Sequence, residues 1–328
     1  MGYISSQGYV GLALQAEKGA EEAPTTFVRF LTADDTPISD NKTFREGGHY
    51  RDGAGITRVG MQFPFSFDCY ARPGIAGRLF TMMLGADAKT LEAVPYLHTI
   101  TPGALGWWTV EMRKLAQADT DDLVNRLIDS KLSTLTFTGS AGEPLKIAVS
   151  GQALDLDSSN VAADESYDAE DFLKFLHGTL TVFGAATTEI TDFTLTIENN
   201  NENIQTSALT YAQIVEKDLD VTLDFTLKCT VDDEFRKVYL GGASGTVALE
   251  ALEASAVTME FNNGLLTTAE RSINFTIPSF VYSAAPLTNL NAESEVMYYA
   301  CTGIAQKVVD TDLITVTVQN EDADEYDA

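Results

Sequence analysis

Positive charge is scarce in this chain. Lys and Arg number 21 against 48 Asp and Glu, a formal net charge of −27 over 328 residues. A nucleic-acid-binding surface sets cations against phosphates and releases counterions, so this composition excludes that role. Such a field repels DNA or draws in basic partners; acidity kept for solubility alone is the other reading. Cysteine is scarce too. Cys69, Cys229 and Cys301 are odd in number and widely spaced, which excludes a disulfide framework and fits buried thiols in a reducing compartment. The histidines are His49, His98 and His177, none near another His or Cys at ligand spacing. No metal centre is therefore expected, and each histidine reads as a loop or surface residue. No run of about 20 apolar residues occurs, which excludes a helical membrane span. The opening Met1-Gly2-Tyr3-Ile4-Ser5 has neither the basic segment nor the apolar stretch of a secretory signal. Folding in a cytoplasm, with no membrane partner, is the expectation.

Patterns that carry chemistry are missing as well. There is no Cys-x-x-Cys and no Gly-x-Ser-x-Gly; Gly242-Ala243-Ser244-Gly245 reads as a turn. Gly47-Gly48 and Gly53-Ala54-Gly55 lack the spacing of a phosphate-binding loop. Carboxylates are so abundant that a pair of them selects nothing. Asp232-Asp233-Glu234 could hold calcium, but capping a helix explains it more simply. Trp107-Trp108 could form a ligand platform; packing is the plainer reading. The sequence thus offers no catalytic residue, no metal site and no cofactor, and the protein is not expected to be an enzyme.

What the chain does have is alternation, and the alternation repeats. Its length suits about two domains. Residues 61–69 read Met-Gln-Phe-Pro-Phe-Ser-Phe-Asp-Cys and residues 221–229 read Val-Thr-Leu-Asp-Phe-Thr-Leu-Lys-Cys. Apolar residues at every second position predict strands with one buried face. Phe65 matches Phe225, and Cys69 matches Cys229, at an offset of 160. Pro64, on the polar face, predicts an edge or a bulge. A short helix follows each strand. Pro73 opens the first, and Leu84-Gly85 and Leu240-Gly241 end the two alike.

Upstream, Phe27–Leu31 parallels Phe193–Ile197, and Tyr9–Leu14 parallels Thr179–Phe183. Downstream, Leu132–Phe137 then Leu145–Val149 parallel Ala256–Phe261 then Ile273–Ile277, where the offset is 124, leaving an insertion over about 86–124 in the first copy. The reading is mainly β, with two tandem β-sandwich or barrel domains, each with a flanking α-helix. The first spans 1–157 and the second 171–320, with an acidic linker at 158–170 and an acidic, mobile tail at 321–328. A duplicated acidic β protein without an active site points to a structural or binding role.

Several segments resemble the tail tube (major tail) proteins of long-tailed, siphovirus-type phages. They are Leu132–Phe137 with Gly142–Gly151, Phe193-Thr194-Leu195-Thr196-Ile197-Glu198-Asn199-Asn200, and Asn274-Phe275-Thr276-Ile277-Pro278-Ser279. The resemblance implies subunits that form rings whose inner sheets join, stacked into a tube through which DNA leaves the head. It implies a virion protein, assembled in the host cytoplasm, whose partners are further copies of itself and other tail proteins (tape measure, tail tip, terminator). DNA would pass without specific binding. Six tube domains per ring would make a two-domain chain a trimer with pseudo-sixfold symmetry. The long loops are then candidates for contact between rings: Thr32–Ile56, with Phe44, Arg45, Tyr50 and Arg51, and Asn199–Ile214, with Ile204, Leu209 and Tyr211. An acidic bore would let DNA slide, and Asp68 and Asp224, on the polar faces of the repeated strands, are candidates to line it. A β-sandwich adhesin, a capsid-decorating protein and the tube of a contractile tail or secretion system are the competing readings.

Overall fold

The computed structural model describes residues 3–44, 55–91, 94–116, 122–159, 161–182, 185–187, 189–229, 233–242, 244–248, 250, 254–265, 269–286 and 296–327. The protein is mainly β. The first half holds β1 (Tyr3–Leu14), β2 (Thr26–Val28), β3 (Phe30–Asp34), β4 (Ile38–Phe44) and β5 (Gly55–Tyr70), then helix α1 (Pro73–Leu84). After the helix come β6 (Gly85–Lys89), β7 (Tyr96–Pro102), β8 (Trp108–Ala116), β9 (Leu123–Ser140), β10 (Lys146–Ala153) and β11 (Asp155–Asp157). The second half holds β12 (Gly178–Val182), β13 (Ala185–Thr187), β14 (Ile190–Glu198), β15 (Glu202–Gln205), β16 (Tyr211–Val215) and β17 (Asp220–Lys228), then helix α2 (Asp233–Leu240). It closes with β18 (Ala254–Asn262), β19 (Ser272–Ala284), β20 (Tyr298–Ala305) and β21 (Thr315–Asn320).

The alternation does what it predicts. On β17, Val221, Leu223, Phe225 and Leu227 are buried while Asp224 faces solvent, and on β5 Phe63, Phe65, Phe67 and Cys69 are buried. Pro64 falls where β5 changes partners, between its pairing with β4 (Ile38↔Gln62) and with β3 (Asp34↔Ser66). A residue with no N–H to donate is tolerated at that junction. Pro73 opens α1, where its fixed φ and missing donor are harmless. Gly85 ends the helix at φ 106°, a conformation that a side chain would oppose.

Among the described residues the strands pair antiparallel, and the isolated bridge Phe27↔Tyr167 is parallel. In the first half the order is β3-β5-β10-β9-β8-β1, with β2 on β1 and β11 on β9. In the second it is β14-β17-β20-β19-β18-β12, with β13 on β12 and β21 on β19. The strand beside β19 is thus β18, as β8 lies beside β9. This places the downstream match one strand earlier than the spacing suggested. Leu132–Phe137 and Leu145–Val149 lie on β9 and β10, whereas the places of β18 and β19 are taken by β8 and β9. Alternation fixes which face of a strand is buried but not which neighbour it pairs with, so similar strands are easily matched out of step. Of the 86–124 segment, β6 and β7 are the strands without a counterpart in the second half's order.

The halves are joined by more than a linker. β9 pairs with β14, from Asp192↔Ser140 to Glu198↔Thr134, and β7 pairs with β21. One hydrophobic cluster takes in residues of both. At its centre Phe80 of α1 stands 6.2 Å from Phe137 of β9 and 5.2 Å from Phe275 of β19, with Phe137 and Phe275 4.9 Å apart. Trp108 is buried in the same cluster, so packing is its role. The cysteines are free thiols; Cys69 and Cys301 are buried, and burial pushes the Cys69 thiol up to about 12, which disfavours the thiolate at neutral pH.

The 158–170 and 321–327 segments do not behave as free linker and tail. Tyr167 bridges to Phe27, and Glu170 is seated at the start of α1, where it accepts from Gly74 N at 2.8 Å. Tyr326 is buried, and Asp322 pairs with Arg78 of α1 at 2.6 Å. His98, expected at the surface, is fully buried, because this segment covers it: Tyr326 stacks on its ring at 4.3 Å. Its Nδ1 lies 2.8 Å from the Asp87 carboxylate and its Nε2 3.0 Å from the Asp322 carbonyl. Both partners only accept, so both bonds form together when the ring is the imidazolium. Burial opposes that charge, but the two hydrogen bonds and the Asp87 carboxylate outweigh it and raise the His98 pKa.

Candidate assembly surfaces

Three surfaces follow from this arrangement: a broad sheet face, a paired arm and a free strand edge. The sheet runs β3-β5-β10-β9-β14-β17-β20 across both halves. Its inner face carries the phenylalanines and leucines of the core. Its outer face is hydroxyl-rich, with Thr134, Thr136 and Thr138 of β9 beside Thr194 and Thr196 of β14. In register across it lie Asp68, Ala148, Thr136, Thr196 and Thr222, and one row over Lys146, Thr138, Thr194 and Asp224. The structure therefore brings Asp68 and Asp224 onto one face, four strands apart, about 19 Å at the usual strand spacing. Asp34, Asp192, Glu198 and Asp220 share that face; Lys146 and Lys228 are its cations, paired with Glu143 at 3.2 Å and Glu189 at 3.5 Å. Thr32 Oγ1 donates to Asp68 at 2.8 Å, while Asp224 is exposed. Hydrogen bonds from Thr36 hold the Asp34 carboxyl below its ordinary value.

Both long loops are β-hairpins. β4 pairs with the first half of β5, and β15 pairs with β16 as a small sheet of their own. Neither shows an apolar period, since Ile38-Ser39-Asp40-Asn41-Lys42-Thr43-Phe44 is polar on both faces. The hairpins lie side by side. Met61 N donates to the Leu209 carbonyl at 2.8 Å and Gln205 Nε2 to the Val59 carbonyl at 3.0 Å. Together they present apolar side chains to solvent: Ile56 is 75% exposed and Leu209 45%, with Ile38 and Ile204 also exposed. Tyr211 is half-buried at the start of β16. Phe44 ends β4, its side chain outside the described residues, as are Arg45, Tyr50 and Arg51. The third surface is the outer edge of β3, which among the described residues pairs only with β5.

Sequence reasoning missed the residues that clamp α1. Asn199, the residue just after β14, donates to the Met83 carbonyl at 2.8 Å and to the Leu132 carbonyl at 3.3 Å, tying the second half to α1 and β9. Arg78 lies over the Tyr326 ring at 4.9 Å. A signal existed: residues 163–169 read Ala-Asp-Glu-Ser-Tyr-Asp-Ala, and 323–328 read Ala-Asp-Glu-Tyr-Asp-Ala. Acidity made both look like solvated linkers.

Among the described residues no group of three or more His, Cys, Asp or Glu could hold a metal ion, and no helix is long and apolar enough to cross a membrane. A wide polar sheet face, a pair of solvated arms and a strand edge without a described partner define a β-structural protein. Residues 5–293 match the family described as phage tail tube protein, and the chain belongs to that family. It is thus a structural component of a phage tail. No curated protein matches the chain.

Proposed function

We propose that this chain is the repeating unit of a hollow tail tube, with three copies closing each ring and rings stacking into a conduit for DNA. The observation that carries the reading is the shared pairing order of the two halves. It supports a duplicated tube domain, in which β14 corresponds to β3 and β19 to β9. Within one chain, β9 pairs with β14 across the boundary. The corresponding contact between chains sets the end of β19 against the open β3 edge of the next copy. Exposed edges normally invite uncontrolled pairing; here a rotation that closes after three chains makes a ring, and stacking makes a polymer. The paired hairpins, with Ile56, Ile204, Leu209 and Tyr211, would meet the ring above or below, and Asp68 and Asp224 would face the bore. Tape measure, tail tip and terminator are the further partners this role requires.

Negative-stain electron microscopy of the purified chain across concentration, with a mass for the smallest ring, tests this. Hollow tubes with three chains per ring are expected. Rings of six chains would remove the duplication, and a monomer at every concentration, even with a tail-tip initiator added, would remove the tube.

A further inference from the structure

Helix α1 is sealed, and the described side chains of helix α2 are not. Every residue of α1 except Arg78 is buried, whereas Arg236–Leu240 of α2 are half-buried, with Tyr239 39% exposed. Part of what seals α1 comes from the other half of the chain. Phe275 of β19 packs on Phe80, and the acidic segment after β21 supplies Asp322 to Arg78 and lays Tyr326 against Gly77 and Arg78. A side chain at Gly77 would run into the Tyr326 ring, so this approach is close.

β11 stands in the first half where β21 stands in the second, each paired with the early part of its long neighbour, β9 or β19. Each is followed by a near-identical acidic segment. The one after β21 lies on α1. The one after β11 turns an apolar and acidic surface outward: Val161 is 87% exposed and Asp164 is exposed, while Glu165 contacts Arg113 at 3.1 Å. α2 has the complementary character. Arg236 and Lys237 are adjacent cations in a chain poor in them, Arg236 donating to the Gly245 carbonyl at 3.0 Å, and Val238 and Tyr239 follow.

We propose that α2 is a docking surface for a second copy of this chain, which lays the segment from Val161 to Ser166 against it. The inference rests on the ring reading. In a ring the halves alternate, so the first half is covered by the second half of its own chain, and the second half meets the first half of the next. Val161 would then pack on Tyr239, with Asp164 opposite Lys237, an acid-to-cation contact on a helix of the kind that Asp322 makes with Arg78 within the chain. Such a contact is heterologous, as ring closure requires.

Charge reversal at one side and its repair at the other test the pairing. Sedimentation velocity would follow assembly of the full chain and of Val161→Lys, Lys237→Glu, and Lys237→Glu combined with Asp164→Lys. Val161 is so exposed that its substitution leaves the fold intact, and thermal melts check the others. Each single variant should raise the concentration needed for rings about tenfold, since like or missing charges at an interface weaken it. The double variant should recover most of that loss. Singles that assemble as the original chain does, or a folded double variant no better than Lys237→Glu, would overturn the α2 contact while leaving the rings standing. An original chain that never assembles would remove the ring reading and this contact with it.

Discussion

Glu170 sits where the two halves and the C-terminal segment meet. It accepts from Gly74 N at 2.8 Å and Glu321 N at 2.9 Å, with Arg271 Nε at 3.2 Å. A carboxylate at a helix N-terminus is favoured by the dipole, yet burial, and then the charge of Asp168, push this one up to about 7 from an ordinary 4.5. The folded state therefore holds a proton that the unfolded chain has released. Its contribution to stability is complete below the unfolded value and is lost as pH rises through about 4.5 to about 7. His98 acts in the same sense, its contribution being present below its ordinary value and lost as pH rises through the raised folded one. Both therefore favour the folded state in mild acid. Protonation of other acids also relieves self-repulsion there, so the comparison with a variant isolates Glu170. Thermal midpoints of Glu170→Gln measured between about pH 5 and about pH 7.5 should fall less steeply than those of the original chain. Identical slopes would show that Glu170 does not carry the linkage.

At the level of elements, the hairpins are the parts whose loss separates folding from assembly. Ile56 and Leu209 are exposed, so Ile56→Asp or Leu209→Asp should change unfolding free energy in urea by no more than about 0.5 kcal/mol. The same substitutions put a charge where a neighbouring ring would bury an apolar side chain, so rings should persist while tubes stop growing in electron micrographs. Tubes of ordinary length would move the stacking contact elsewhere. The strands that anchor these arms were legible: β5 and β17 alternate cleanly, and Pro73 and Gly85 bound α1 as local chemistry dictates. The hairpins were not, because β4 is solvated on both faces and β15 and β16 are too short to show a period. Nor was the burial of His98, since nothing near it in sequence announces Tyr326 or Asp322. The family resemblance was carried by local strand patterns, such as Phe193–Asn200, which are legible as short stretches of sequence; the pairing of β9 with β14 lies between distant residues and had no such trace.

Across the whole molecule, the scarcity of positive charge bears on the proposed conduit. The outer sheet face carries Asp34, Asp68, Asp192, Glu198, Asp220 and Asp224 against two lysines, each already paired with a glutamate. Repeated around a ring and along a tube, that face would line the bore with negative charge and hydroxyls. DNA brings about one negative charge per 1.7 Å of its axis. Cations in the bore would hold it by counterion release, whereas like charge keeps it hydrated and free to slide. The face is broad enough to change without disturbing the core, because Asp224 is exposed and, among the described residues, Thr32 is the side chain that hydrogen-bonds Asp68. Tubes of the double variant Asp68→Lys with Asp224→Lys should still form, and should retain short labelled duplex at low salt and release it as salt rises. Tubes of the original chain should retain none at either salt. Equal exclusion by both would place these two residues away from the bore, and retention by the original tubes would mean that the acidic face is turned outward, leaving the lumen to another surface of the sandwich.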